Sequence, residues 1–265
     1  MSHYTCDKGE MPNRNPATGL SRIANRYGLL LVCLLGISSG LDARERSVLI
    51  GNESFLWYET ADDGSRYLTE NGNRYVLGLK QYDHKQTRSR ERSFVFYGGI
   101  VHYDGQLMDG TPFVSSTGYD GIRLDSLWQH QLFNTSVLFA EYSLGLDIWR
   151  RVLDNGGSLG YTETFHVLQS RVGLGFDFDG WYVKGGVKLP WVLVETVSLG
   201  LTLYPSPQST TYFELGLGQP DGLQLRLTLD GYRLMASPEV QLMGQSYYQP
   251  NSVQNSLVLS LHVPI

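Results

Sequence analysis

The chain has 265 residues, a formal net charge of −5, 18% charged residues, 30 glycines and 17 tyrosines. So mild an acidic balance, with no recurring Lys/Arg-rich face, excludes a nucleic-acid-binding surface. Scarce charge with abundant Gly suits an all-β chain with many turns, long enough for one large domain.

In chain order, Arg22 and Arg26 precede the apolar run "YGLLLVCLLGISSGL" (27–41), which exits through small residues to Asp42 and Ala43. A basic flank, a short apolar stretch and a small-residue exit match a secretory signal peptide. The run is shorter than the roughly 20 residues of a spanning helix. Residues 1–43 are expected to be an N-terminal extension and export signal, with a translation start at Met11 or later as the alternative to Met1. Residues 44–265 are expected to form the mature domain. Both cysteines, Cys6 and Cys33, lie in the leader. An exported domain without disulfides must be stabilised by its architecture.

Beyond the leader the hydrophobic period is two. In "SVLFAEYSLGLDIW" (136–149), Leu138, Ala140, Tyr142, Leu144, Leu146 and Ile148 alternate with Glu141, Ser143, Gly145 and Asp147. "VLQSRVGLGF" (167–176) and "GWYVKGGVKLPW" (180–191) repeat the pattern, with Arg171, Lys184 and Lys188 on their polar faces. In "LQLRLTLDGYRL" (223–234) Leu223, Leu225, Leu227 and Leu229 face away from Gln224, Arg226, Thr228 and Asp230. "LVLSLHVPI" (257–265) closes the series. Turn-like breaks at "DNGG" (154–157), "FDFDG" (176–180), "YPSPQ" (204–208) and "QPDG" (219–222) separate the runs. The spacing predicts strands at 52–60, 73–82, 93–104, 118–131, 136–149, 163–176, 180–190, 198–204, 211–218, 222–234, 238–247 and 254–264. Alternation is weakest at 52–60, 198–204 and 238–247, which leaves ten strands as the alternative to twelve.

Alternation alone suits either a soluble barrel with leucines inward or a membrane barrel with leucines outward. Three features favour the second. The polar faces carry Gly145, Gly173, Gly175, Gly200 and Gly216, which a crowded interior tolerates and an exposed strand face disfavours. The same faces carry charges of both signs. Phe94, Phe96, Trp128, Trp149, Phe176, Trp181, Trp191, Tyr204, Tyr212 and Tyr232 lie near strand ends, as interfacial aromatic girdles do. Several strands reach the roughly 9–11 residues that cross a bilayer at a tilt. The fold class is therefore all-β, a closed antiparallel transmembrane β-barrel following a signal peptide. With both ends periplasmic, 61–72, 105–117, 150–162, 191–197, 219–221 and 248–253 are expected outside. The basic stretch "DHKQTRSRER" (83–92) is then a long periplasmic loop.

On the leader, the alternation, the girdle and the loop asymmetry, residues 45–265 resemble bacterial outer-membrane β-barrel proteins of the small, single-chain kind. "SFLWYETADDGSRYLTENG" (54–72) and "YDGQLMDGTP" (103–112) are similar to a recurring uncharacterised type from Gram-negative bacteria. The resemblance implies residence in the outer membrane. It also implies contact with lipid and lipopolysaccharide, and insertion by the barrel-assembly machinery. Such barrels commonly end in an aromatic residue, and this chain departs from that with Val263-Pro264-Ile265.

Barrel enzymes of this kind need a His-x-Ser pair or paired Asp with an Asp-His pair. None of His84, His102, His130, His166 and His262 is followed two positions later by Ser; no Asp-x-His occurs to partner Asp62-Asp63, and the adjacent Asp83 and His84 would point to opposite sides of an extended chain. Asp104, Asp109 and Asp120 offer oxygen ligands without the spacing of a Ca²⁺ loop. No phosphate-cradling loop or zinc spacing occurs, so no cofactor is expected. The expected function is non-enzymatic. The barrel is either a narrow hydrophilic pore for small hydrophilic solutes or a structural or surface-interaction scaffold. Its lumen is expected to be lined by Arg123, Asp125, Glu141, Asp147, Arg171, Lys184, Lys188, Glu214, Arg226 and Asp230. The alternative is a lipase-like or protease-like outer-membrane enzyme with its site at the extracellular rim.

Overall fold

The computed structural model describes residues 45–265 apart from 62, 86–87, 107–110, 134–136, 154–159 and 219–221. The expected leader and both cysteines fall outside the described residues. Among the described residues the chain forms β1 (Glu45–Thr60), β2 (Arg66–Lys85), β3 (Arg88–Gln106), β4 (Pro112–Gln131), β5 (Leu138–Leu153), β6 (Tyr161–Phe178) and β7 (Trp181–Val197). After these come β8 (Leu201–Leu203), β9 (Ser206–Gln208), β10 (Thr210–Leu217), β11 (Gln224–Met235), β12 (Val240–Leu242), β13 (Gln245–Tyr247) and β14 (Asn251–Pro264).

Ten of these close on themselves. β1 to β7 follow one another in antiparallel order, β7 pairs with β10, β10 with β11, β11 with β14, and β14 returns to β1. Closure matters physically, because an open sheet edge in lipid would leave a row of backbone donors and acceptors unsatisfied at several kcal/mol each.

Ten strands is the alternative that the weakly alternating stretches left open beside twelve. The stretch 52–60 is a full barrel strand within β1. By contrast, 198–204 and 238–247 do not cross. The first holds a turn and the three-residue β8, which folds back on the end of β7. The second is the small β12–β13 hairpin outside the barrel sheet. Its Val240, Leu242 and Tyr247 pack on Val197, Leu201 and Leu203, a satellite cluster that needs no membrane.

Losing two crossings re-sorts the ends of the barrel. Glu45 of β1 and Ile265 lie at one end, called here the terminal end, and the opposite end is the loop end. β10 ends and β11 begins at the terminal end, the expected outside connection 219–221 itself falling outside the described residues, and "YPSPQ" moves to the loop end between β7 and β10. Residues 191–197 are strand, not loop. The basic stretch 83–92 is also mostly strand: β2 runs on to Lys85 and β3 begins at Arg88, with Asp83 opposite Arg90 and Tyr82 opposite Glu91. Opposite charges facing each other across a hairpin stabilise the extended form that a run of bases alone would not.

The faces are unambiguous. Leu225 is 41% exposed on the outer wall while Arg226 beside it is 4% exposed inside. Ile50, Leu77, Leu79, Phe96, Leu174, Phe176, Trp181, Leu257 and Leu259 share the outer surface. An exterior of hydrocarbon around an interior of charge is the inverse of a soluble barrel, and it marks this one as the outer-membrane type. Above the apolar band the wall turns polar, and Asp120 and Arg150 form an exposed ion pair at 2.8 Å.

Candidate functional site

The interior of the barrel is the candidate site, and it is stacked in three tiers. At the terminal end, Lys80, Lys184 and Arg226 face Glu91, Glu141 and Glu214. Lys80 meets Glu91 at 2.7 Å, Arg226 meets Glu91 at 3.0 Å and Glu214 at 3.3 Å, and Lys184 meets Glu141 at 3.1 Å. Arg226 also donates to the Tyr82 hydroxyl, and the Tyr182 hydroxyl donates to Glu214.

In the middle tier, Asp147 accepts from Arg123 Nε at 2.9 Å and from Tyr97 at 2.6 Å, and Tyr232 Oη lies 2.8 Å from both Asp147 and Gln169. Asp230 binds Arg171 and Lys188, both at 2.6 Å, and the Lys188 ammonium lies 3.5 Å from the centre of the Tyr232 ring. Arg74 pairs with Glu53 at 2.7 Å, its guanidinium 3.9 Å from the centre of the Phe55 ring.

The loop-end tier is different in sign. Arg151, 2% exposed, reaches Glu59 at 3.0 Å, Glu70 at 3.1 Å and Glu163 at 2.8 Å, so one cation ties β5 to β1, β2 and β6. Glu195 is buried at the same level. Around this tier lies a hydrocarbon core in which Trp149 stacks on Phe165 at 5.0 Å, Trp57 leans on Phe165 at 5.8 Å and Tyr232 on Trp149 at 5.2 Å. Trp57 and Phe165 have no exposed surface at all.

A ten-strand barrel has a bore near the limit at which side chains can fill it, and these do. Below the aromatic core lies a cavity of about 120 Å³ bounded by Arg123, Asp125, Lys184 and Arg226. A second, of about 340 Å³, adjoins it at the terminal end beside Tyr82, Asp83 and Asp177.

The structure places Arg123, Asp125, Glu141, Asp147, Arg171, Lys184, Lys188, Glu214, Arg226 and Asp230 inside the barrel. It joins all but Asp125 in ion pairs, and Asp125 lines the smaller cavity. Three aromatics expected in the girdle are inside instead: Trp149, Tyr212 and Tyr232 are all buried. Their parity gives the reason, because Trp149 follows Asp147 by two and Tyr232 follows Asp230 by two, so each shares its carboxylate's face. Phe96, Phe176, Trp181, Trp191 and Tyr204 are on the outer surface.

The interior glycines make room for the rings. A Cβ at Gly173 would sit 2.2 Å from the Tyr212 hydroxyl, and one at Gly216 would sit 2.1 Å from the Tyr182 ring. Gly200 belongs elsewhere, in a turn with φ +89°.

Sequence reasoning missed one pair and the acidic tier. Ser260 Oγ lies 3.1 Å from His262 Nε2, a Ser-x-His order that a search for His-x-Ser passes over although i and i+2 share a strand face. The Nδ1 of His262 has no hydrogen-bond partner among the described residues, so the third group that orients a general base is missing. His102 is exposed on the outer wall and His130 stacks on Tyr142 there. In the β1–β2 turn, Asp63 accepts hydrogen bonds from the Ser65 hydroxyl and amide, which hold its carboxyl below the ordinary range. Asp62 and Asp109 lie outside the described residues. Among the described residues no acidic or histidine cluster has the arrangement of a metal site.

No protein-family model matches the chain, and no curated protein matches it. Its fold is similar to several solved outer-membrane barrels. The transport unit of the autotransporter AIDA-I from Escherichia coli shares 9% identity over 89% of this chain and 96% of that one, with a TM-score of 0.46. An outer membrane channel from Pseudomonas putida F1 shares 11% over 87% and 98%, TM-score 0.46. The outer membrane protease OmpT from Escherichia coli shares 10% over 83% and 95%, TM-score 0.45. These likenesses are of fold, and the three proteins differ in what they do.

Proposed function

We propose that the protein is a non-enzymatic outer-membrane scaffold whose barrel is sealed to ions and small hydrophilic solutes. The observation that carries this reading is Arg151, buried and bound to carboxylates from three other strands across the bore. A buried ion cluster with its partners in place is costly to open, because breaking any pair strands a charge away from water. The aromatic core around Trp57, Trp149 and Phe165 supports the same reading, since hydrocarbon packed at ring-contact distance leaves no wetted path. Both interior cavities lie on the terminal side of that core, so water entering there meets a blind end. With the bore filled, the functional surface is the loop end, where the β12–β13 hairpin and the polar upper wall stand clear of the apolar band.

Planar-bilayer recording tests this. Protein shown to be folded by a heat-modifiable gel shift is expected to give no single-channel steps. A Trp57→Ala, Trp149→Ala, Phe165→Ala variant, folded by the same criterion, is expected to conduct. Regular openings from the unmodified protein would overturn the sealed scaffold and restore the narrow pore.

A further inference from the structure

The wall of the barrel is interrupted on its lipid-facing side. β9 pairs with β11 at Ser206–Gln208, and β10 pairs with β11 from Phe213 onward, but the ladder lapses between Ser209–Tyr212 and Asp230–Tyr232. On the other flank the edge of β7 that pairs with β8 and β10 has no ladder partner over 189–194, while its opposite edge stays paired with β6. Pro190 lies within this unpaired stretch of β7 and lacks the N–H that a ladder requires. Side chains replace part of what is lost: Thr210 Oγ1 donates to the Gly231 carbonyl at 3.0 Å and the Gly231 amide donates to Asp230 at 2.7 Å.

A groove of about 770 Å³ runs over this break, within the roughly 300–1,000 Å³ of small-ligand sites. Its two halves differ in chemistry. Towards the terminal end it is walled by Phe213, Leu229 and Leu257, part of the apolar band that lipid covers. Towards the loop end it is walled by Thr211, Asn255 and Arg233. Gly231 separates Leu229 from Arg233 on β11, where a Cβ would come within 2.3 Å of the Gln254 carbonyl oxygen, so the strands approach closely at the floor of the groove. Arg233 is exposed and has no charged partner among the described residues, unlike Arg123, Arg151, Arg171 and Arg226 within the barrel. An unpaired guanidinium at the edge of a hydrocarbon band is matched by an anion held at the same depth, and its planar fork suits a phosphate.

We propose that this groove binds one molecule of an anionic phospholipid, its phosphate on Arg233 and Asn255 and an acyl chain along Phe213, Leu229 and Leu257. The chain shields the broken ladder, and the headgroup supplies the counter-charge. The site is on the outer wall and is independent of whether the interior conducts.

The test is lipid retention by the full chain, folded in neutral detergent and checked by heat-modifiable mobility, using native mass spectrometry. Phosphatidylglycerol is expected to be retained as one molecule per chain, about tenfold more tightly than phosphatidylcholine, in keeping with one charge-assisted contact. Arg233→Gln is expected to erase that preference and Arg233→Lys to keep it. Thr211→Trp, which fills the recess from an exposed position, is expected to release both lipids. Equal retention of the two lipids, an undiminished preference in Arg233→Gln, or full retention in Thr211→Trp would each overturn the site.

Discussion

Replacing Leu227 with arginine is expected to destabilise the folded barrel by about 2–4 kcal/mol in lipid, the penalty for a cation near the bilayer midplane on an outward face. Leu227 is on the outer wall opposite Leu259 of β14 and Leu215 of β10, so the guanidinium would enter a patch made of leucine on three adjacent strands. Neither neighbour offers a carboxylate. The same substitution on a water-exposed surface would be near neutral, so the size of the loss separates the two environments. Urea titration of the protein folded into vesicles, followed by tryptophan emission, measures it. A change below about 0.5 kcal/mol, the ordinary range for an exposed site, would show that Leu227 does not touch lipid.

The second large effect is at Arg151. Arg151→Met keeps much of the side-chain length and removes the charge, leaving Glu59, Glu70 and Glu163 facing one another in a buried tier with Glu195 beside them. Removing one partner of a buried charge cluster costs about 3–5 kcal/mol, because the remaining charges keep their desolvation penalty and lose the attraction that offset it. Tyr119 and Thr117, which donate to Glu70, and Trp57 and Tyr67, which donate to Glu59, soften the loss at those two carboxylates. Adding Glu70→Gln and Glu163→Gln to Arg151→Met is therefore expected to recover part of the stability. Urea midpoints of the single and triple variants check this. A single variant as stable as the unmodified protein, or a triple variant less stable than the single, would contradict the role given to Arg151.

The period-two pattern made much of this molecule legible before any coordinates. In β5 it separates Leu144, Leu146 and Ile148 from Asp147, and in β11 it separates Leu227 from Arg226, because a strand allows a side chain only two directions. The same rule applied to Trp149 and Tyr232 puts them inside, and reading them by chemical type as girdle residues overrode it. What alternation does not carry is the partner. Arg151 meets Glu59 at a sequence separation of 92, and Ser256 meets Glu53 at 203, and these contacts depend on closure and stagger that no local window records. The choice between twelve strands and ten turned on a related point. "LGLTLYP" alternates as a strand should, but Pro205 and Pro207 and the turn at 198–200 convert it into a short return on β7. The basic stretch 83–92 failed in the opposite direction, since β2 and β3 pair through most of it, with Asp83 facing Arg90 across the hairpin.

The central claim is that the outward face of β11 touches lipid and the inward face touches neither lipid nor bulk water. Residues 45–265 contain no cysteine, so single cysteines carrying a nitroxide label can be placed at 225, 226, 227, 228 and 229 in a chain with Cys6 and Cys33 replaced by serine. Collision rates with oxygen, which concentrates in the bilayer, and with a water-soluble nickel complex are then measured in vesicles. High oxygen and low nickel accessibility are predicted at 225, 227 and 229, and low values for both at 226 and 228. Labels at 225, 227 and 229 that were shielded from oxygen, or reached freely by nickel, would contradict the account.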